Sequence, residues 1–167
     1  MNATETATTT QVYRVWIKAT PEAIWDAITK PEWTDRYGYG GTADYDLRPG
    51  APYAVRPGAA MREFPNVPDV IVDGEILEAD PPRRLSMTWR MLMDPGMSAE
   101  GFTKLTYEIE ETESAGTRLT VIHELEGAPT LAAMVAGEHE AEGAGGGWAW
   151  ILSDLKSLLE TGTRLAG

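Results

Sequence analysis

From Gly40 to Glu126 the chain alternates apolar and polar residues in short runs broken by turn residues, the period-two signature of half-buried β-strands. Strands are expected over Thr42–Leu47, Pro52–Arg56, Val70–Glu78, Leu85–Leu92, Thr103–Glu111 and Arg118–Glu126, with a further strand ahead of them over Gln11–Ala19. Arg48-Pro49-Gly50 is a turn sequence, and Gly74 is expected to mark a bulge. Short antiparallel strands on brief turns make a meander and not a parallel βαβ sheet. The helical period replaces this alternation in three places. Thr20-Pro21-Glu22 opens a helix with a capping threonine, a proline suited to the first turn and an acidic residue that complements the dipole. A second short helix starts at Pro31-Glu32, carries Trp33 and Tyr37 and ends at Gly38, while Pro129–Glu140 is helix-prone but capricious around Gly137. Lastly, the glycine run Gly145-Gly146-Gly147 opens into a helix with apolar residues at Trp148, Ile151, Leu152, Leu155, Leu158 and Leu159. That stripe has to lie on a large hydrophobic surface.

Alternation allows the faces of the sheet to be read. Leu85, Met87, Trp89 and Met91 share one face, as do Leu105, Tyr107 and Ile109, and Leu119, Val121, His123 and Leu125; Tyr45, Leu47, Tyr53 and Val55 behave likewise. The opposite face carries Ser86, Thr88, Arg90, Lys104, Glu108 and Glu124 and is expected to be solvated. A core built for stability alone favours Leu, Ile and Val, whereas tyrosine, tryptophan, methionine and a histidine crowd this inner face. Phenols and imidazoles need partners and methionine adapts to irregular shapes, so the mixture is expected to line a cavity beneath the last helix. The candidate ligand-binding residues are Trp33, Tyr45, Tyr53, Met87, Trp89, Met91, Leu105, Tyr107, Val121, His123, Trp148, Ile151, Leu152 and Leu155. Gly143, Gly145, Gly146 and Gly147 are the candidate hinge or gate over its mouth, together with a loop from Met91 to Phe102.

Composition narrows the partners. Of 167 residues, 26 are acidic and 14 basic, a net charge of −12 that repels phosphate backbones and anionic lipid. The absence of cysteine removes disulfides, thiolate catalysis and cysteine-ligated zinc. Met1–Thr10 is polar and threonine-rich, expected to be a disordered tail ahead of a single domain over residues 11–167, and no apolar run could span a bilayer. A cytoplasmic monomer or weak dimer without metal or cofactor is expected, its partner a hydrophobic small molecule and neither nucleic acid nor membrane.

The chemistry-bearing residues are few. His123 could donate to a ligand carbonyl or, paired with Tyr107, act in acid–base catalysis; its bland alternative is a core histidine satisfied by Tyr107 or a backbone carbonyl. Glu138, His139, Glu140 and Glu142 cannot fully converge on a metal from adjacent helical positions. Ser153-Asp154 lacks the context of a nucleophile elbow and is expected on the polar side of the last helix. Gly143–Gly147 lacks the lysine and preceding strand of a phosphate loop.

Three stretches carry a family resemblance. Ala19-Thr-Pro-Glu-Ala-Ile-Trp25-Asp-Ala-Ile, then Asp73-Gly-Glu-Ile-Leu-Glu-Ala-Asp-Pro-Pro-Arg-Arg-Leu85 with Trp89, then Gly147-Trp-Ala-Trp-Ile-Leu-Ser-Asp-Leu-Lys-Ser-Leu-Leu-Glu160 resemble the AHSA1-like branch of the START/Bet v1 (SRPBCC) superfamily. The resemblance implies an α+β helix-grip fold, a curved antiparallel sheet wrapped around a long C-terminal helix with two short helices after the first strand and a ligand cavity between. Members of that superfamily bind lipids, steroids or polyketides, cyclise polyketides, stimulate the Hsp90 ATPase, or protect actinobacterial producers from enediyne antibiotics, in some of which a backbone position near the ligand is sacrificed. The expectation is a binding or sequestering protein for an aromatic or polyketide-like molecule, with a cyclase/aromatase and an Hsp90-activator-like protein as alternatives.

Overall fold

The computed structural model describes residues 9–143 and 145–165, so most of the expected tail lies outside the described residues. One seven-stranded antiparallel sheet runs in the order β1-β7-β6-β5-β4-β3-β2. The strands are β1 Thr10–Ile17, β2 Thr42–Asp44, β3 Pro52–Arg56, β4 Val72–Asp80, β5 Arg84–Met91, β6 Thr103–Glu111 and β7 Thr117–Glu124. From β2 to β7 sequence neighbours are spatial neighbours, as a meander requires, and β1 closes onto β7. Two helices follow β1, α1 Pro21–Thr29 and α2 Pro31–Thr34; α3 Pro95–Ala99 precedes β6, α4 Pro129–Val135 follows β7, and α5 Gly147–Thr161 ends the fold. This is the α+β helix-grip arrangement.

Local chemistry explains the boundaries. Thr20 Oγ1 accepts the amide of Ala23, capping α1 as its sequence implies. The expected loop from Met91 to Phe102 instead holds the short α3, because Asp94 accepts the Met97 amide and Pro95 starts the turn. α4 stops at Val135 and not Glu140, since Gly137 takes a left-handed φ of 83° and its amide turns back to Met134. β2 ends at Asp44, before Tyr45 and Leu47. The register shift in β4 falls between Ile76 and Glu78, not at Gly74, whose missing Cβ instead lets the Thr88 carbonyl approach where a methyl would sit at 2.0 Å.

The core lies between the concave sheet face and α1, α4 and α5, and includes Ile24, Ile28, Ile76, Leu85, Met87, Leu105, Leu119, Val121, Leu131, Leu152 and Leu155. The other sheet face is less open than its polarity implies. Ser86, Thr106 and Thr120 are buried there, with Ser86 and Thr106 hydrogen bonded at 2.8 Å, low between longer charged neighbours such as the paired Arg84 and Glu108.

Asp154 corrects the reading of α5. It is fully buried and not on a polar face, and it holds three chain segments together. Its Oδ2 accepts the Gly38 amide at 2.9 Å and the Arg164 guanidinium at 2.9 and 3.0 Å, while Oδ1 accepts the Leu165 amide at 2.8 Å. Arg164 donates in turn to the Gly38 carbonyl at 2.7 Å. A buried charge with both oxygens hydrogen bonded specifies geometry, and removal of one partner is costly. Asp154→Ala is expected to lower unfolding stability by about 3 kcal/mol, read as a fall in the urea midpoint at unchanged slope; a loss below about 0.5 kcal/mol, the size of an ordinary surface change, would show that this junction carries little of the fold.

Candidate functional site

A cavity of about 180 Å³ opens between the sheet and α5. The sheet contributes Ala43, Tyr45, Val55, Val72, Trp89, Met91 and Tyr107; the helices and loops contribute Ile28, Tyr37, Tyr39, Met61, Met134, Val135, Trp148 and Ile151. No charged side chain lines it among the described residues. Gly38, Tyr39 and Met61 also line an outer groove of about 680 Å³ whose other walls include Asp35, Arg62, Phe64 and Arg164. The two spaces therefore meet at Tyr39 and Met61.

The sequence-derived candidates divide. Tyr45, Trp89, Met91, Tyr107, Trp148 and Ile151 line the cavity. Met87, Leu105, Val121, Leu152 and Leu155 are buried in the packed core beneath it, as is Tyr53, whose ring lies 5.2 Å from that of Tyr45. Trp33 lies under the Arg36 guanidinium at 4.5 Å, outside the lining. Alternation identifies a face but not its depth, and residues of one face are divided between the cavity lining and the packed floor. Sequence reasoning missed Tyr37, Tyr39, Met61, Met93 and Met134. These sit in irregular segments or at helix ends, and the only signal was the concentration of aromatics and methionine there.

His123 lies behind the wall, fully buried, at the centre of a hydrogen-bonded relay. The Trp148 indole Nε1–H donates to its Nδ1 at 3.1 Å. Nδ1 is then an acceptor, so the neutral ring carries its proton on Nε2 and donates to Thr103 Oγ1 at 2.8 Å, and that hydroxyl donates to the Trp89 carbonyl at 2.9 Å. Both ring nitrogens are occupied. The partners are Trp148 and Thr103, not Tyr107 or a backbone carbonyl as the sequence suggests. Burial pulls the imidazole pKa down to about 3, so His123 is neutral throughout the physiological range. Trp89 and Trp148 pack edge-on against the ring at centroid distances of 5.2 and 6.0 Å.

Tyr37, Tyr39, Tyr45 and Tyr107 line the cavity, and Tyr53 lies beneath its wall. Tyr37 donates to the Ala27 carbonyl at 3.0 Å and Tyr53 to the Thr88 carbonyl at 2.6 Å. Tyr45 and Tyr107 have no hydroxyl partner among the described residues. Both side chains are partly buried and face the cavity. Burial drives both phenol pKa values up, and at Tyr107 the neighbouring phenols of Tyr45, Tyr37 and Tyr53 push the same way.

The glycines differ among themselves. Gly147 has a φ of 72°, and a Cβ there would meet the Val135 carbonyl oxygen at 2.2 Å. A Cβ at Gly145 would strike Tyr39, whose hydroxyl accepts the Gly147 amide at 3.1 Å, and one at Gly146 would meet Trp150 at 2.6 Å. Gly147 permits close backbone packing between the ends of α4 and α5, while Gly145 and Gly146 make room for the Tyr39 and Trp150 side chains. Only Gly143, with nothing within 4 Å, has the open surroundings of a hinge. Among the described residues no group of three metal-ligating side chains forms; His139 Nδ1 pairs with Glu142 at 2.5 Å on the surface.

The family model described as "Activator of Hsp90 ATPase homolog 1-like protein", AHSA1, matches residues 18–160, and the chain belongs to this family. No curated protein sequence matches significantly. Among solved structures, SSP2350 from Staphylococcus saprophyticus is 19% identical with a TM-score of 0.63, over 93% of this chain and 95% of that one. DynU16, a protein of the dynemicin biosynthetic locus, is 20% identical with a TM-score of 0.62, over 93% of this chain and 49% of its own. PFC0360w, an HSP90 activator from Plasmodium falciparum, is 17% identical with a TM-score of 0.53, over 70% of this chain and 72% of its own. At these identities the likeness is one of fold.

Two outcomes follow from this geometry. Unfolded, His123 takes a proton below its ordinary pKa of 6.5; folded, it does not until about pH 3. Stability from this residue is thus complete above pH 6.5 and declines as pH falls, by up to about 1.4 kcal/mol per pH unit. His123→Gln is expected to flatten the stability profile between pH 6.5 and 5, before carboxylates dominate; an unchanged slope in chemical denaturation would contradict the buried neutral ring. Gly147→Ala is expected to cost about 3 kcal/mol or more through strain and clash, against about 1 kcal/mol at Gly143→Ala from backbone conformation alone. Equal losses in parallel urea titrations would mean that Gly147 is not packed as described.

Proposed function

We propose that this member of the AHSA1 family encloses a hydrophobic aromatic or polyketide-like small molecule and acts as a binding or sequestering protein. The observation that carries this reading is the uncharged, aromatic- and methionine-rich cavity under the first turn of α5. Its volume of about 180 Å³ suits one or two rings, since an engineered apolar cavity of ~150 Å³ already accepts benzene. A larger polyketide extends past Tyr39 and Met61 into the outer groove, where Phe64 and Tyr39 offer aromatic surface and Arg62 and Arg164 polar contacts. The similarity of fold to DynU16 favours a setting in natural-product biosynthesis or self-resistance. A cytoplasmic location fits such a role.

The cyclase alternative has less support, because both nitrogens of His123 are engaged by Trp148 and Thr103 and its pKa is far from operating pH. The description of the matching family and the likeness to PFC0360w favour a second reading, an interaction with an Hsp90-type chaperone, which a pull-down with that chaperone and an ATPase assay would test.

The primary reading predicts a 1:1 complex with at least one member of a panel of one- to three-ring aromatics and polyketides in native mass spectrometry. The same ligand should shift the Trp148 indole and Trp89 resonances. Tyr39→Ala, which removes the residue between groove and cavity, is expected to accelerate both association and dissociation severalfold with a smaller change in affinity. If no compound in the panel binds or moves these resonances, the binding reading is wrong.

A further inference from the structure

Of the five tyrosines around the cavity, two have spent their hydroxyl hydrogens on carbonyls, while Tyr39, Tyr45 and Tyr107 have not. Tyr37 and Tyr53 are tied to the Ala27 and Thr88 carbonyls. Tyr45, just beyond β2, and Tyr107, on β6, line the cavity, and neither hydroxyl has a partner among the described residues. A polar hydrogen in a largely apolar cavity without a protein partner is a standing cost, and two such hydrogens in one cavity point to a partner that arrives from outside. The other hydroxyls of the lining are engaged or at the mouth: Thr34 Oγ1 accepts the Ala43 amide at 3.0 Å, and Tyr39 accepts the Gly147 amide where the cavity meets the groove.

The two rings are held in place. Tyr45 is tilted against Tyr53 with centroids 5.2 Å apart, and Tyr107 meets Trp148 edge-on at 6.2 Å. Each C–O bond still rotates, so two hydroxyls near one another can aim at one oxygen. Both side chains line one cavity of about 180 Å³, small enough for a single bound molecule to lie against both. Burial keeps both as neutral donors at physiological pH. With no cation in the lining, a carboxylate or phenolate would enter without compensation, whereas a neutral carbonyl oxygen accepts two hydrogen bonds and brings no charge.

We propose that Tyr45 and Tyr107 jointly donate to a single carbonyl oxygen of the bound aromatic molecule, making the cavity selective for aryl ketones and quinones over hydrocarbons of the same shape. This rests on the binding reading above and adds the chemical class of the ligand. The two phenols are recognition groups, and His123 takes no part.

A matched pair of planar probes separates shape from hydrogen bonding: acetophenone, and α-methylstyrene, in which a methylene replaces the carbonyl oxygen. Both are titrated into the wild-type chain and into Tyr45→Phe, Tyr107→Phe and the double variant. Each single variant is expected to weaken acetophenone about five- to tenfold while α-methylstyrene changes by less than about twofold, since phenylalanine keeps the ring and removes only the donor. Retained α-methylstyrene binding also reports that the variant is folded. In wild-type protein, which needs no variant, the C=O stretch of bound acetophenone is expected well below its value in a hydrocarbon solvent. If both probes bind with an unshifted stretch and an affinity ratio that neither variant alters, water or nothing satisfies these phenols; the proposal fails and the cavity reading stands. If neither probe nor any larger aromatic ketone binds, both fall together.

Discussion

The hydrogen bond from the Trp148 indole to His123 Nδ1 is the interaction on which the rest of this structure depends. It joins the first turn of α5 to β7, and because it fixes the histidine tautomer it also determines the next two bonds, to Thr103 on β6 and the Trp89 carbonyl on β5. A single direction of donation thus runs from the helix across three strands. Every polar atom in the relay is matched, which is the condition for a buried polar network to specify one arrangement and not merely to burden the core. The Trp148 indole that makes this bond is also a wall of the cavity.

Position follows from that anchor. Trp148 can sit over His123 only if α5 starts close to the end of α4, and Gly147 allows this because a side chain there would overlap the Val135 carbonyl. At the other side of the helix Asp154 ties the Gly38 turn and the segment around Arg164 to the same element. The cavity is therefore framed at two places by fully used polar groups, and between them α5 presents Trp148 and Ile151 to an open space and Leu152 and Leu155 to a packed one. Aromatic and thioether side chains at the cavity end, aliphatic ones at the core end, divide a binding volume from a stabilising one within a single sheet face.

Much of this was legible in the sequence, and the remainder was hidden for physical reasons. Period-two alternation placed six strands and their inner face, and the stripe Trp148, Ile151, Leu152, Leu155 gave the helix and its orientation, because these depend on local geometry alone. Alternation is blind to depth along a strand, so Leu105 and Val121 read the same as Tyr107 although only Tyr107 reaches the cavity. Asp154 reads as polar surface because its partners, Gly38 and Arg164, come from opposite ends of the chain. Gly145-Gly146-Gly147 reads as slack, whereas the absent side chains make room for Tyr39, Trp150 and the Val135 backbone. Tyr39 and Met61 lie in segments without a period, and nothing local marks them as the junction between groove and cavity.

The central claim is that the space beneath the first turn of α5 is where a ligand resides, and its most direct test is to locate one. Intermolecular nuclear Overhauser effects from the ring protons of a bound aromatic probe to side chains of uniformly labelled protein do so without altering any residue. The account predicts contacts to the Met91 and Met134 methyl groups, to Ile151 and to the Trp148 indole, all of which line the cavity. Contacts confined to Phe64 and the outer face of Tyr39, with none to Met91 or Trp148, would place the ligand in the surface groove and contradict it.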